Sequence, residues 1–187
     1  MLLKPEDYYT QRNNKHIPGA ACMNTSRVMF YLAAKIPYTQ KAGIADDDFF
    51  YELLNSDKAK DFAKAKYPWL EDLPPVEIHG MYGSYLDKLV TGKRRTDFYT
   101  DLTWDDFVNQ IAMGNPVMTS GRFKGIAGHA FVFVGYDYNT KELIAADPYG
   151  DPHTDYQSDK GYGIRYTKDY FEEHVKPGPL HWGHIIL

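Results

Sequence analysis

The 187-residue sequence predicts an α+β fold in which N-terminal helices pack on a C-terminal antiparallel sheet. Three observations predict it. Apolar residues recur at helical spacing through the first part of the chain. After Pro116 the chain turns to short segments rich in β-branched and aromatic residues, each bounded by Gly, Pro, Asn or Asp. Between two of those segments, "YDYNTKE" has the polar composition of a hairpin turn, so its flanking strands pair antiparallel. Helices first and strands second place the helices on one side of the sheet.

The elements follow in order. From Ser26, the residues Val28, Met29, Leu32 and Ala33 recur at helical spacing until Pro37 stops the pattern, and Cys22 lies near that helix's N-terminus. Between Asp46 and Lys93 three further helices are expected. One centres on Phe49, Phe50, Leu53 and Leu54, and one on "DKAKDFAKAKY"; the third carries Tyr82, Tyr85, Leu86, Leu89 and Val90 and is closed by Gly92. "TWDDFVNQIAMGNP" reads as a capped helix: Thr103 accepts from first-turn amides, Asp105 and Asp106 suit the positive end, and Gly114 with Pro116 ends it. The expected strands lie in "PVMTSGRF", "HAFVFVGYD", "ELIAADPYG", "GYGIRYT" and "HWGHIIL". With no internal repeat, low-complexity run or flexible linker, residues 1–187 read as a single domain, with a helical insertion over roughly 46–93.

Composition narrows the function. A hydrophobic fraction of 43% supports a sizeable core, and a formal charge of −4 with interspersed signs excludes the extended basic footprint that nucleic acids attract. "GKRRTDF" is the one basic cluster, and it is short. A single cysteine allows no internal disulfide, and "MLLKPEDYYTQRNN" lacks the apolar run of a signal peptide, so synthesis in the cytoplasm is expected. No apolar stretch approaches the roughly 20 residues needed to span a bilayer. The expectation is a soluble monomer that needs no cofactor.

The chemistry centres on Cys22. Taken alone, a lone cysteine reads as a small apolar residue that packs. A thiol with an ordinary pKa near ~8.5 is mostly protonated at neutral pH, and a catalytic one needs positive potential nearby. A helix N-terminus supplies part of that potential; a histidine aligned by a carboxylate or amide supplies the rest, from anywhere in the sequence. His129 opens the strand after Gly128, and Asp147 closes the next strand before Pro148. If those strands pair through the turn at 138–141, His129 and Asp147 meet at one end of the hairpin. Upstream, Gln11 is placed to donate its side-chain amide, with the Cys22 backbone N–H, to a developing oxyanion.

The segments "YYTQRNNKHIPGAACMNTS", "GNPVMTSGRFKGIAGHAFVFVGYD" and "AADPYGD" together resemble the C39-like peptidase family, a papain-like cysteine peptidase group of bacteria and their phages. The stretch from "IADDDFF" to "GKRRTDF" lies outside the resemblance. The resemblance implies a papain-like fold with Cys22 as nucleophile, His129 as base, Asp147 as its orienter and Gln11 at the oxyanion hole. It also implies, by way of phage relatives, an endolysin-like endopeptidase or amidase acting on peptidoglycan peptide and released to the wall by a holin. The resemblance does not extend to the ATP-binding and membrane domains of bacteriocin-exporting relatives, so leader-peptide processing during export is not expected.

Competing readings stay open at this level. The function alternatives are a protein-processing cysteine peptidase, a non-catalytic cell-wall binding module, and a zinc amidase using His129, His153 or Asp155. His16, close in sequence to Cys22, is the rival base. His153 and Asp155 share a face that a zinc site could use, without a third ligand at a telling spacing. His181 and His184, three apart on a strand, point to opposite faces, against chelation. The acids Asp46–Asp48 read as a helix cap, with a calcium role as the alternative. Sixteen tyrosines, three tryptophans and ten phenylalanines suit a glycan or peptide groove as well as a sheet core.

Overall fold

A computed structural model describes residues 1–57, 59, 61, 75–175 and 181–187. Its helices are α1 (Cys22–Ala33), α2 (Asp46–Leu54), α3 (Pro75–Thr91), α4 (Trp104–Ala112) and α5 (Lys168–His174). Its strands are β1 (Thr96–Tyr99), β2 (Val117–Phe123), β3 (Ile126–Asp137), β4 (Glu142–Ala146), β5 (Tyr162–Tyr166) and β6 (Gly183–Ile186). All pair antiparallel in one sheet of order β1-β6-β2-β3-β4-β5. This is the α+β architecture expected. Of the helix read from "DKAKDFAKAKY", all but Asp57, Ala59 and Asp61 lies outside the described residues.

Period-two alternation along β3 explains the layering. Ala130, Val132 and Val134 belong to a core shared with Val28, Met29 and Phe30 of α1, Phe50 of α2 and Leu86 of α3. Phe131 and Phe133 belong to a second core with Trp104, Phe107 and Ile111 of α4 and Phe171 of α5. The N-terminal helices therefore cover one face and α4 and α5 cover the other, so helices flank both faces of the sheet and not the single side expected from the sequence. Both faces of β3 must be apolar, which is why "AFVFV" is an unbroken hydrophobic run.

Helix ends follow local chemistry. Thr103 and Asp106 form a full capping box on α4, and Gly114 beyond its end takes φ 85°. The acids of α2 behave differently from the cap expected of them. Residue Ala45 precedes the helix without a side-chain cap, and all three acids are buried. Asp46 accepts from Tyr9, Tyr38 and Gln40, Asp47 from Asn14 and Thr25, and Asp48 from the Lys15 amide. They tie α2 to α1 and to the loop before it, with protein donors where the calcium reading would put an ion.

Two elements were not foreseen. The basic stretch at 92–98 contains β1, whose Thr96 donates through its amide and hydroxyl to buried Asp87 of α3. The seven-residue α5 follows β5 after a Thr167 cap. Strand β6 begins only at Gly183, so His181 precedes it and meets the Val175 and Leu102 carbonyls, while His184 packs against Phe98 and Trp182. Among the described residues, no helix is long and apolar enough to cross a membrane.

Candidate active site

Cys22 is the first residue of α1 and is half-buried. Ala21 gives the helix no side-chain cap, and the Met23 amide of the first turn reaches the thiol instead. Helix α1 packs across β3, where Ser26 Oγ donates to the Ala130 carbonyl at 3.0 Å. That contact seats the helix start beside His129, one residue earlier on the strand.

His129 does not open its strand, contrary to the sequence expectation. Strand β3 starts at Ile126, after a two-residue turn at Lys124 and Gly125, and the register slips between Gly121↔His129 and Phe123↔Ile126. Residues 127 and 128 of β3 thus face residue 122 of β2, two against one, which is a bulge, and Gly128 within it takes φ 75°. The bulge reading of Gly128 and its functional reading coincide, because the irregularity sets the direction of the next side chain. His129 emerges 3% exposed, ringed by Phe123, Phe131, Tyr149 and Tyr156.

The β3–β4 hairpin pairs Val132 with Ala146, so Asp147 leaves β4 close to His129. His129 Nε2 lies 2.7 Å from Asp147 Oδ1, and Asp147 is fully buried. The Tyr149 amide also donates to Oδ1 at 2.8 Å, and the Tyr156 hydroxyl donates to Oδ2 at 3.3 Å. Gly161 permits this packing, since a Cβ there would collide with the Asp147 carbonyl oxygen.

With Nε2 turned to Asp147, the other ring nitrogen is left for the Cys22 thiol, to which His129 is hydrogen-bonded. Burial pushes the thiol's pKa up, but the hydrogen bond and charge of His129 outweigh it, with help from the Ala130 and Met23 amides, and the thiol sits below its ordinary value. Burial pulls His129 down, whereas the Asp147 charge and hydrogen bond, and then Cys22, raise it to about 10. The pair is therefore poised as thiolate and imidazolium.

Gln11 is 2% exposed and shares a cleft with Cys22 and His129; Gly19, Ala20, Gly125 and Tyr149 are among its other walls. Its backbone N–H donates to the Pro148 carbonyl, and its Nε2 gives one hydrogen to the Pro18 carbonyl at 3.0 Å. The second amide hydrogen remains for a ligand. Of the four residues singled out in the sequence, Gln11, Cys22 and His129 line one cleft and Asp147 is buried behind His129.

A model of the Peptidase_C39 like family matches residues 6–174. The chain belongs to that family. Its cysteine-peptidase type of chemistry agrees with a lone thiol beside an imidazole. A search of curated proteins finds no match.

The rival histidine lies elsewhere. His16 stacks on Tyr51 and sits 3.7 Å from Glu52. Among the described residues no group of three or more His, Cys, Asp or Glu side chains is placed to hold a metal. His153 contacts the Arg165 carbonyl through Nε2, and Asp155 pairs with Lys124, so the two engage different partners. Sequence reading missed Tyr149 and Tyr156 at Asp147, for neither residue type nor spacing announces a tyrosine that holds a carboxylate.

Proposed function

We propose that this chain is a cysteine hydrolase that cleaves an amide bond of bacterial peptidoglycan, as an endolysin-like endopeptidase or amidase. The catalytic part rests on one observation: His129 bridges Asp147 at 2.7 Å and the Cys22 thiol at the start of α1. The wall substrate rests on the resemblance to phage domains, and a fold alone does not choose among substrates. On this reading residues 1–187 act as one catalytic domain. The enzyme is made in the cytoplasm and meets the wall after release by a holin.

The Cys22 thiolate attacks the amide carbonyl carbon, forming the C–S bond and moving the π electrons onto oxygen. The Cys22 N–H and the free hydrogen of Gln11 Nε2 hold that oxyanion. As the C–N bond breaks, His129 gives its proton to the leaving amine, and a thioester remains. Neutral His129 then takes a proton from water, hydroxide adds to the thioester carbonyl, and thiolate leaves as the new carboxylate forms. Asp147 holds the ring throughout.

The test is digestion of purified peptidoglycan, with the new termini identified by mass spectrometry. New stem-peptide termini that disappear after iodoacetamide treatment and persist in EDTA are expected. Intact peptidoglycan together with cleavage of a protein substrate would transfer the reading to protein processing. Loss of activity in EDTA alone would overturn thiol chemistry.

A further inference from the structure

The Asp147 carboxylate is held by two tyrosines that belong to an irregular loop. Tyr149 reaches Oδ1 through its backbone N–H, and Tyr156 reaches Oδ2 through its hydroxyl. Asp155 and Tyr156 are consecutive non-glycine residues with φ 52° and 61°. A bulky side chain in the left-handed region is costly and persists only where its surroundings enforce it. One residue outside the loop grips both tyrosines. Arg12 donates from Nε to the Tyr149 carbonyl at 2.7 Å and from Nη2 to the Tyr156 carbonyl at 3.0 Å, and its guanidinium lies 4.3 Å from the centre of the Tyr149 ring.

We propose that Arg12 is a positioning residue for Asp147, its planar fork fixing the two tyrosines that hold the two carboxylate oxygens and through them the orientation of His129. The proposal rests on the catalytic reading of Cys22, His129 and Asp147. Arg12 touches neither the thiol nor the imidazole. It follows Gln11 directly, within the same short 3-10 turn, so one turn presents the amide to the cleft and braces the carboxylate behind it. A lysine has the charge and the donors but no rigid planar fork to hold two carbonyls at a fixed spacing. Arg12 is exposed, so replacing it leaves the core untouched.

The titratable groups around the imidazole are Cys22 on α1, Asp147 after β4, and Tyr149 and Tyr156 in the loop. Burial and then the Asp147 charge hold Tyr156 well above its ordinary range, so thiol reactivity reports Asp147's hold on the ring. The experiment follows iodoacetamide alkylation of Cys22, the only thiol, against pH in the full chain. It compares wild type with Arg12→Ala, Arg12→Lys, Tyr156→Phe and Gln11→Ala. Both Arg12 variants should alkylate about 3–10-fold more slowly at pH 6, with the midpoint displaced toward that of a free thiol, and Tyr156→Phe should move it the same way. Gln11→Ala, which removes the cleft amide and its bond to the Pro18 carbonyl but none of the groups that hold Asp147, should leave the midpoint in place.

Rescue by Arg12→Lys, or Arg12 profiles identical to wild type, overturns the role of the fork. A wild-type profile already resembling a free thiol would instead overturn the catalytic pair itself, and the proposal with it. Thermal unfolding of each variant separates these outcomes from loss of fold.

Discussion

At the scale of single residues, the thiol–imidazole pair makes the most direct prediction. Because His129 outweighs burial and lowers the Cys22 pKa, iodoacetamide should label the protein readily between pH 6 and 7, where an ordinary thiol with a pKa near ~8.5 is sluggish. His129→Ala should remove that reactivity and peptidoglycan hydrolysis together. His16→Ala should change neither, since His16 is engaged with Tyr51 and Glu52. If the two variants exchange roles, the assignment of His129 is wrong. Cys22 was legible because it is the only cysteine and sits at a helix start, and His129 and Asp147 because each sits beside a strong local signal, a strand and an Asp-Pro pair. Arg12 was not legible. Its partners are backbone carbonyls, which every residue carries, so no pattern of side chains encodes the contact.

At the scale of elements, the periodic ones were readable and the irregular ones were not. Strands β2 to β5 and the capping box of α4 carry patterns that survive without context. Strand β1 is four residues long, at the sheet edge and within a basic run, so its pairing with β6 decides its state more than its own composition does. The acids of α2 looked like a cap because sequence shows only neighbours, whereas their partners lie at residues 9–15, 25 and 38–40. The β3 bulge is the irregularity with the clearest consequence. Gly128→Val puts a β-branched residue at φ 75°, a strain of about 1–3 kcal/mol, and relief by straightening the strand would turn His129 away. The variant should show a lower urea midpoint and a Cys22 alkylation profile displaced toward that of a free thiol. A profile unchanged in a folded variant would mean that the bulge does not aim the histidine.

At the scale of the whole molecule, the pair ties stability to pH in two opposite ways. His129 is raised from 6.5 to about 10, so its protonation stabilises the fold fully below pH 6.5, and this is lost as pH rises toward 10. Cys22 is lowered from 9.0, so its ionisation stabilises the fold above pH 9 and that contribution is lost as pH falls. Between the lowered Cys22 value and 9 the two slopes oppose each other, and wild-type stability should change with pH less steeply there than either group alone would make it. Cys22→Ala leaves the histidine contribution alone, because Asp147 still raises it, and urea unfolding should then show stability declining with pH. A Cys22→Ala profile as flat as wild type would sink the linkage.

The architecture that couples these groups also imposes an order on their assembly. Tyr8 donates to the Asp147 carbonyl across 139 residues of sequence, Thr10 to Pro148 across 138, and Ser26 to Ala130 across 104. Contacts so distant form late, because the loops they close must first be bridged by the sheet between them. During synthesis the thiol emerges early, with neither its imidazole nor its carboxylate yet translated. A ribosome-bound chain therefore carries a cysteine with no imidazole beside it, and the pairing of the two waits until β3 and β4 have been translated and have met α1.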